Sequence, residues 1–567
     1  MSTEAALLRA IRTAPAEDTP RLMYADYLDE EGFSARAEFI RVQVERARLP
    51  ERDPRRAPLE DRAHELLAEH EDDWLGVPAD ARDELSEWEF DRGFVDEVAA
   101  SPVFMRDAGA DLCAAHPVRR WRVTSGDRAA NFPEDLREAG QRGWFGRLEA
   151  VDLSGWYPDL GEISSFLARS NFERLSELDL TGRGPLDPLP VILEFAPFRD
   201  RLKVLRGGAG GYGGGRLDAR EFVQSLGATC RLEELAVPAA MLMADDVREL
   251  LAATALTQLT ALDLSRNEIA PDGWHAFREA RFRLRELDIS GTALGGLALG
   301  DLLGCASLSD LCRLHLNRYG DDEVNVRALA ESRFWAQAEE LRVRNGVNPE
   351  SSLGPLFAAP GPSGLRVFDV ASNWMRDGGV DRLCGAAWAE SLTYLDLSEN
   401  YLSDVALRTI ASSGRFKNLH TLHLSANSPY HQEAAEPHEA ITDAGLRALA
   451  DSPALANLRV LSLNSTRITH DGVEAVLNSP HWRLTALQLA NCQLRPRVID
   501  VLAASPRLAR LEVLDLSGND EISGDFLAPL AESEYLSPQT ELNIDGIDGG
   551  PKVRAALRER LGRRLSE

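Results

Sequence analysis

Four groups of residues have types and spacing that could do chemistry. Asp152, Asp179, Asp263, Asp288, Asp369, Asp396 and Asp515 each stand between two apolar residues in a recurring motif of the Leu-Asp-Leu kind. Between those acids lie Arg313, His315 and Arg318, then Arg342 and Arg344, a basic island suited to charge-assisted hydrogen bonding of an acidic group on a partner. The bland alternatives are that Leu-Asp-Leu-Ser is common repeat sequence and that the island is an accident of composition. His423, His431, His438, Glu433 and Glu439 have metal-binding chemistry, but their spacing matches no known site, and the polar insert at 428–439 reads as a solvated loop. Gly208, Gly210 and Gly213 satisfy GxGxxG, where backbone amides can approach a phosphate. A flexible loop in a degenerate repeat explains them more simply. No HExxH, GxSxG or P-loop lysine motif occurs, so no catalysis, cofactor or metal is expected.

The elements that must position these residues repeat along the chain. Units of the form LxxLxLxxN open at Leu148, Leu175, Leu232, Leu259, Leu284, Leu311, Leu365, Leu392, Leu419, Leu458, Leu484 and Leu511. Degenerate units open at Leu202 and Ala338, and half-units flank the array at Val118 and Gln539. The apolar alternation predicts a short parallel strand, such as 148–153, 262–264 or 395–397. The polar ninth residue, such as Asn267, Asn373, Asn400, Asn427 or Asn519, can satisfy backbone groups where the strand turns away; Cys492 fills that slot once. A helix should follow, as at 442–450 with Thr442 as its cap and Leu446 and Leu449 on one face. One strand and one helix cannot bury their apolar stripe alone, but stacked units can. The Asp side chains should then form like-charge ladders on adjacent strands about 4.8 Å apart: Asp152 with Asp179, Asp263 with Asp288, Asp369 with Asp396.

Composition narrows function. The 567 residues carry 91 acidic and 63 basic side chains, a net charge of −28. A field of that sign repels phosphates and anionic lipid, so nucleic acid and membrane partners are not expected. The start, MSTEAALLRAIRTAP, has no signal-like apolar stretch, and no run of about 18 apolar residues occurs. The six cysteines are scattered without a CxxC pair, which suggests a reduced, cytoplasmic protein.

The repeat resembles the ribonuclease-inhibitor subfamily of leucine-rich repeats, and the likeness covers about three quarters of the chain. Residues 1–117 fall outside it. The segment ALLRAIRTAPAEDTPRLMYADYLDEEGFSARAEFIRVQ closely resembles the repeat-companion domain of bacteria, with Tyr24, Asp26, Tyr27, Glu38 and Arg41 as its polar and aromatic residues. Helices are expected near 3–13, 19–32 (Thr19 capping, Pro20 at the first position), 34–48 and 59–74.

These readings imply an α/β solenoid, a horseshoe with about sixteen parallel strands on its concave face and helices on the convex side. Its parts would be a helical region at 1–87, a junction at 88–117, repeats over 118–547 and a closing helix over 548–567. The expected function is protein binding on the concave face by Arg313, His315, Arg318, Arg342 and Arg344, flanked by Asp263, Asp288, Asp369 and Asp396. Arg342 and Arg344 should face solvent. A GTPase regulator resembling the Ran GTPase-activating protein is the alternative. A ubiquitin-ligase-like effector is a further one, although nothing after the repeats is long enough for its catalytic domain.

Overall fold

The computed structural model describes residues 2–566 except 51–52, 54, 125–131, 155–159, 183–188, 210–215, 228, 293–298, 318–324, 348–352, 428–439 and 548–549. The chain forms two compact units, Met1–Leu259 and Thr260–Glu567.

The first unit opens with helices α1 (Thr3–Thr13), α2 (Asp18–Glu30), α3 (Ser34–Arg48) and α4 (Arg56–Leu75). α2 begins one residue before the expected cap: Glu17, not Thr19, is the N-cap, with no side-chain bond to the helix. Ile11, Tyr24, Ala25, Leu28, Ala37, Ile40 and Val44 close over Phe94 in one apolar cluster. Phe94 belongs to an antiparallel hairpin, β1 (Leu85–Asp91) and β2 (Phe94–Ala100). Gly93 at the hairpin turn has φ +87°, and a Cβ there would sit 2.5 Å from the Ile40 side chain. β2 then starts a parallel series: β3 (Arg120–Val123), β4 (Ala150–Asp152), β5 (Glu177–Gly182), β6 (Val204–Ala209) and β7 (Glu234–Ala236).

The second unit continues the pattern. Its strands are β8 (Ala261–Asp263), β9 (Glu286–Asp288), β10 (Arg313–His315), β11 (Glu340–Arg342), β12 (Val367–Asp369) and β13 (Tyr394–Asp396), then β14 (Thr421–His423), β15 (Val460–Ser462), β16 (Ala486–Gln488), β17 (Val513–Asp515), β18 (Glu541–Asn543) and β19 (Leu565–Ser566). Every adjacent pair is parallel. β8 and β13 begin one residue earlier than the pattern suggests. The helix Pro551–Leu561 lies between β18 and β19.

The leucine pattern supplies the stabilisation. The central residues Leu287, Leu314, Leu341, Phe368, Leu395, Leu422, Leu461, Leu487 and Leu514 are all 0% exposed. Each such side chain is worth roughly 1.5–3 kcal/mol of burial. Not every repeat carries a full helix. Pro271–Arg278 is a 3₁₀ segment, whose three-residue turn puts Trp274 and Phe277 on one buried side.

Two polar devices lock neighbouring repeats together. Asn400 donates through Nδ2 to the carbonyls of Val370 (2.9 Å) and Ser398 (3.0 Å), and its Oδ1 accepts from the amides of Asn373 (2.9 Å) and Met375 (3.2 Å). Asn427 and Asn519 repeat this arrangement, and Cys492 keeps a weaker form of it through Sγ to the Leu463 carbonyl. The second device is an acid in the first turn of one helix that receives the amide and hydroxyl of the next helix cap. Asp404 takes Thr442, and Asp443 takes Thr469, at 2.7–2.8 Å. The acid passes so close to the next helix that Cβ atoms at Gly445 and Gly472 would lie 2.4 and 2.3 Å from it.

Candidate partner-binding face

Alternation fixes which side chains share a face. In β8, β9, β10, β11, β14, β16 and β17 the central residue is buried and both neighbours are half-buried. Residues two apart on one strand therefore stand on the same side, beside their counterparts on the next strand.

The acidic ladders have the expected register: Asp152 pairs with Asp179, Asp263 with Asp288, and Asp369 with Asp396. Arginines bracket them. Arg122 lies 3.9 Å from Asp152, and Arg206 lies 3.8 Å from Asp179.

In the second unit the brackets merge into a chain of alternating charge. His315 touches Asp288 through Nδ1 (3.3 Å) and Glu340 through Nε2 (3.0 Å). Glu340 accepts from Arg342 Nε at 2.5 Å, and Arg342 reaches Asp369 at 3.4 Å. Arg344 donates to Asp369 at 2.7 Å and also to Asp396. Arg313 pairs separately with Glu286 at 2.7 Å. Arg342 also lies over the Tyr394 ring, 5.4 Å from its centroid, and Tyr394 packs on His423 at 5.3 Å.

Burial along this chain of charges is uneven. Asp369 and Asp396 do not point into solvent: they are 0% and 2% exposed. Arg342 is a half-buried partner of Asp369, 31% exposed, while Arg344 faces solvent as expected, 46% exposed, with its guanidinium paired to both acids. An open strand surface would solvate these carboxylates; buried as they are, they demand counter-charges, which the Arg342 and Arg344 guanidiniums supply. Arg318, His431, His438, Glu433, Glu439, Gly210 and Gly213 lie outside the described residues. His423 is on β14, facing Tyr394. Gly208 sits within β6, where a Cβ would meet the Pro238 carbonyl oxygen at 2.4 Å, so close packing on the next repeat explains that glycine. Among the described residues no group of three or more His, Cys, Asp or Glu could hold a metal, and no helix is long and apolar enough to cross a membrane.

Titration follows the contacts. Burial and the Asp288 carboxylate push Asp263 up to about 6. Burial also works against the ionised form of Asp288, but hydrogen bonds from His315 and Ser290 prevail and hold it below its ordinary value. Burial opposes a charge on His315 too, yet Asp288 and Glu340 together raise it to about 9. Despite its burial, Glu340 falls to about 2 under His315 and Arg342. Burial and Asp396 raise Asp369 in spite of Arg344. Burial lowers His423.

Glu286, Glu340 and Tyr394 belong to the face but escaped the sequence reading. Their signal was present: each sits two residues before Asp288, Arg342 or Asp396 on the same strand, and so on the same side.

The architecture is that of an α/β leucine-rich-repeat solenoid: one short parallel strand per repeat, a leucine ladder inside and an asparagine ladder at the turn. Residues 255–276 match the family model described as "Leucine Rich repeat". The human leucine-rich repeat-containing protein 14 is 34% identical over 160 residues, which are 28% of this chain and 31% of that protein. The match thus spans under a third of that relative's length. Among solved structures, the crystal structure of the yeast Rad7 and Elc1 complex matches at 18% identity and a TM-score of 0.42, over 65% of this chain and 80% of the other. An internalin from Listeria monocytogenes matches at 14% identity and a TM-score of 0.32, over 76% of this chain and 92% of its own.

Proposed function

We propose that this chain is a non-enzymatic protein-binding scaffold that recognises its partner on the strand face of Thr260–Glu567. Arg313, His315, Arg342 and Arg344 would lie at the contact, with Asp263, Asp288, Asp369 and Asp396 setting the charge pattern. The observation that carries this reading is the half-buried row of polar side chains, continuous from strand to strand and already ordered by ion pairs. Such a surface loses little side-chain entropy on binding. Fixed alternating charge gives register and steering more readily than raw affinity.

The finer placement belongs to the same proposal. Repeat spacings that are mostly 27 residues favour the ribonuclease-inhibitor-like subfamily, and the segment from residue 4 to about 45 favours a bacterial repeat-companion module. Six unpaired, buried cysteines favour the cytoplasm.

The test is affinity capture with the intact chain, identification of the bound protein, and calorimetry on variants. Arg313→Glu is the first choice, because Arg313 pairs with Glu286 rather than with a buried acid. It should weaken the identified partner at least tenfold with unchanged thermal unfolding. Full affinity in Arg313→Glu and in Gln488→Arg, on β16 further along the same unit, would overturn the reading. A GTP-hydrolysis assay with small GTPases in the same preparation checks the regulator alternative.

A further inference from the structure

A second surface lies beside the strand face, on the loop that follows the ninth position of the repeat. The residue just after that slot is Met241, Glu268, Val347, Trp374, Tyr401, Arg467, Gln493 or Asp520 in the described repeats. Trp374 and Tyr401 are 39% and 41% exposed. Their rings stack 4.4 Å apart at 21°. Adjacent strands lie about 4.8 Å apart, so the solenoid itself holds the two rings in register.

The fold does not require aromatic groups there. Both residues have φ +56°, a left-handed conformation that asparagine, aspartate and glycine enter at low cost and bulky side chains at a higher one. Gln493 takes the same φ of +56° at the equivalent place without a ring. Anchoring is done by neighbours: Asn373 and Asn400 through their hydrogen bonds, and Leu402 by complete burial. Two ordered aromatic faces are thus held toward solvent against local backbone preference, a combination that marks binding surfaces.

The local charge indicates what would cover them. In residues 371–377 and 398–404 the charged groups are Arg376, Asp377, Glu399 and Asp404. Glu399 is exposed, immediately before Asn400, and bonds the Ser372 hydroxyl at 3.0 Å. Asp377 and Asp404 hold the Ser403 and Thr442 helix caps, which leaves Glu399 as the exposed carboxylate; on a chain of net charge −28 it complements a cation. We propose that the Trp374–Tyr401 stack docks an arginine-bearing segment of a protein partner. The guanidinium lies over the exposed ring face and Glu399 takes its charge. Arginine suits this place because a planar, weakly hydrated cation both stacks and pairs.

The experiment selects a phage-displayed library of random dodecapeptides on the intact chain and measures the enriched peptides on variants. They should carry arginine. Their binding should fall roughly tenfold in Trp374→Asn/Tyr401→Asn, fall less in Glu399→Gln, and hold in Arg313→Glu, which separates this surface from the strand face. The double asparagine variant should unfold within about 2 °C of the parent or above it, since strained, exposed rings are removed. No enrichment, enriched peptides without basic residues, or equal binding to the double variant would overturn the proposal. A clear fall in its unfolding temperature would do so too, because the rings would then be structural.

Discussion

Replacing Arg344 with methionine is the sharpest probe of the strand face. The methionine keeps the aliphatic stem and removes the guanidinium shared by Asp369 and Asp396, which are 0% and 2% exposed. Stripping one partner from a buried pair typically costs 3–5 kcal/mol, because the remaining charge is desolvated and uncompensated. Two features reduce that figure. Arg344 is itself 46% exposed, so part of its attraction is screened, and Arg342 still reaches Asp369 at 3.4 Å. The expected cost is about 2–3 kcal/mol at pH 7. Repeat arrays need not unfold as one unit, so the assay is urea unfolding read by amide hydrogen exchange at β12 and β13. The loss requires an ionised acid, so it should be present at neutral pH and shrink as pH falls through the raised value of Asp369. Adding Asp369→Asn should recover at least about 1 kcal/mol, a non-additivity expected of contacting groups. A cost below about 0.5 kcal/mol at pH 7, or an equal cost at pH 4 and pH 7, would refute the charge argument and leave only packing.

Three other outcomes follow from the same contacts. His315 titrates near 9 in the folded chain against 6.5 as its ordinary value, so its contribution, at most about 3 kcal/mol, should be complete below pH 6.5 and lost between pH 6.5 and 9; thermal midpoints of His315→Gln should therefore be flatter than the parent's across that window. Asp263 is ionised at a cost above its raised value of about 6, so Asp263→Asn should stabilise the second unit by roughly 1–2 kcal/mol at pH 7, with the gain fading between pH 6 and 4; destabilisation at pH 7 in chemical unfolding would contradict this. Asn400→Ala strands two carbonyls and two amides in the interior and should cost at least about 3 kcal/mol, with local exchange accelerated at β12 and β13; a change under about 1 kcal/mol would show that water replaces the side chain.

Sequence alone was enough to define the repeat, and with it the fold class, because leucines at most buried strand positions and asparagines at many of the turns are periodic and answer a physical need. Leu395 and Asn400 are legible for that reason: one fills a closed apolar interior, and the other satisfies four buried backbone groups at once. The Asp ladders were legible too, since equal spacing in parallel strands implies equal register. Only the tertiary structure decided how those acids live. Whether Asp369 meets water or Arg344 depends on how far side chains lean across β12 and β13, and no periodicity encodes that lean. Asp396 and Arg344 are 52 residues apart along the chain yet bonded in space. The stacking of Trp374 on Tyr401 has the same origin. Each residue occupies an ordinary loop position in the sequence, and only the strand spacing, which belongs to the assembled sheet, brings the two rings face to face.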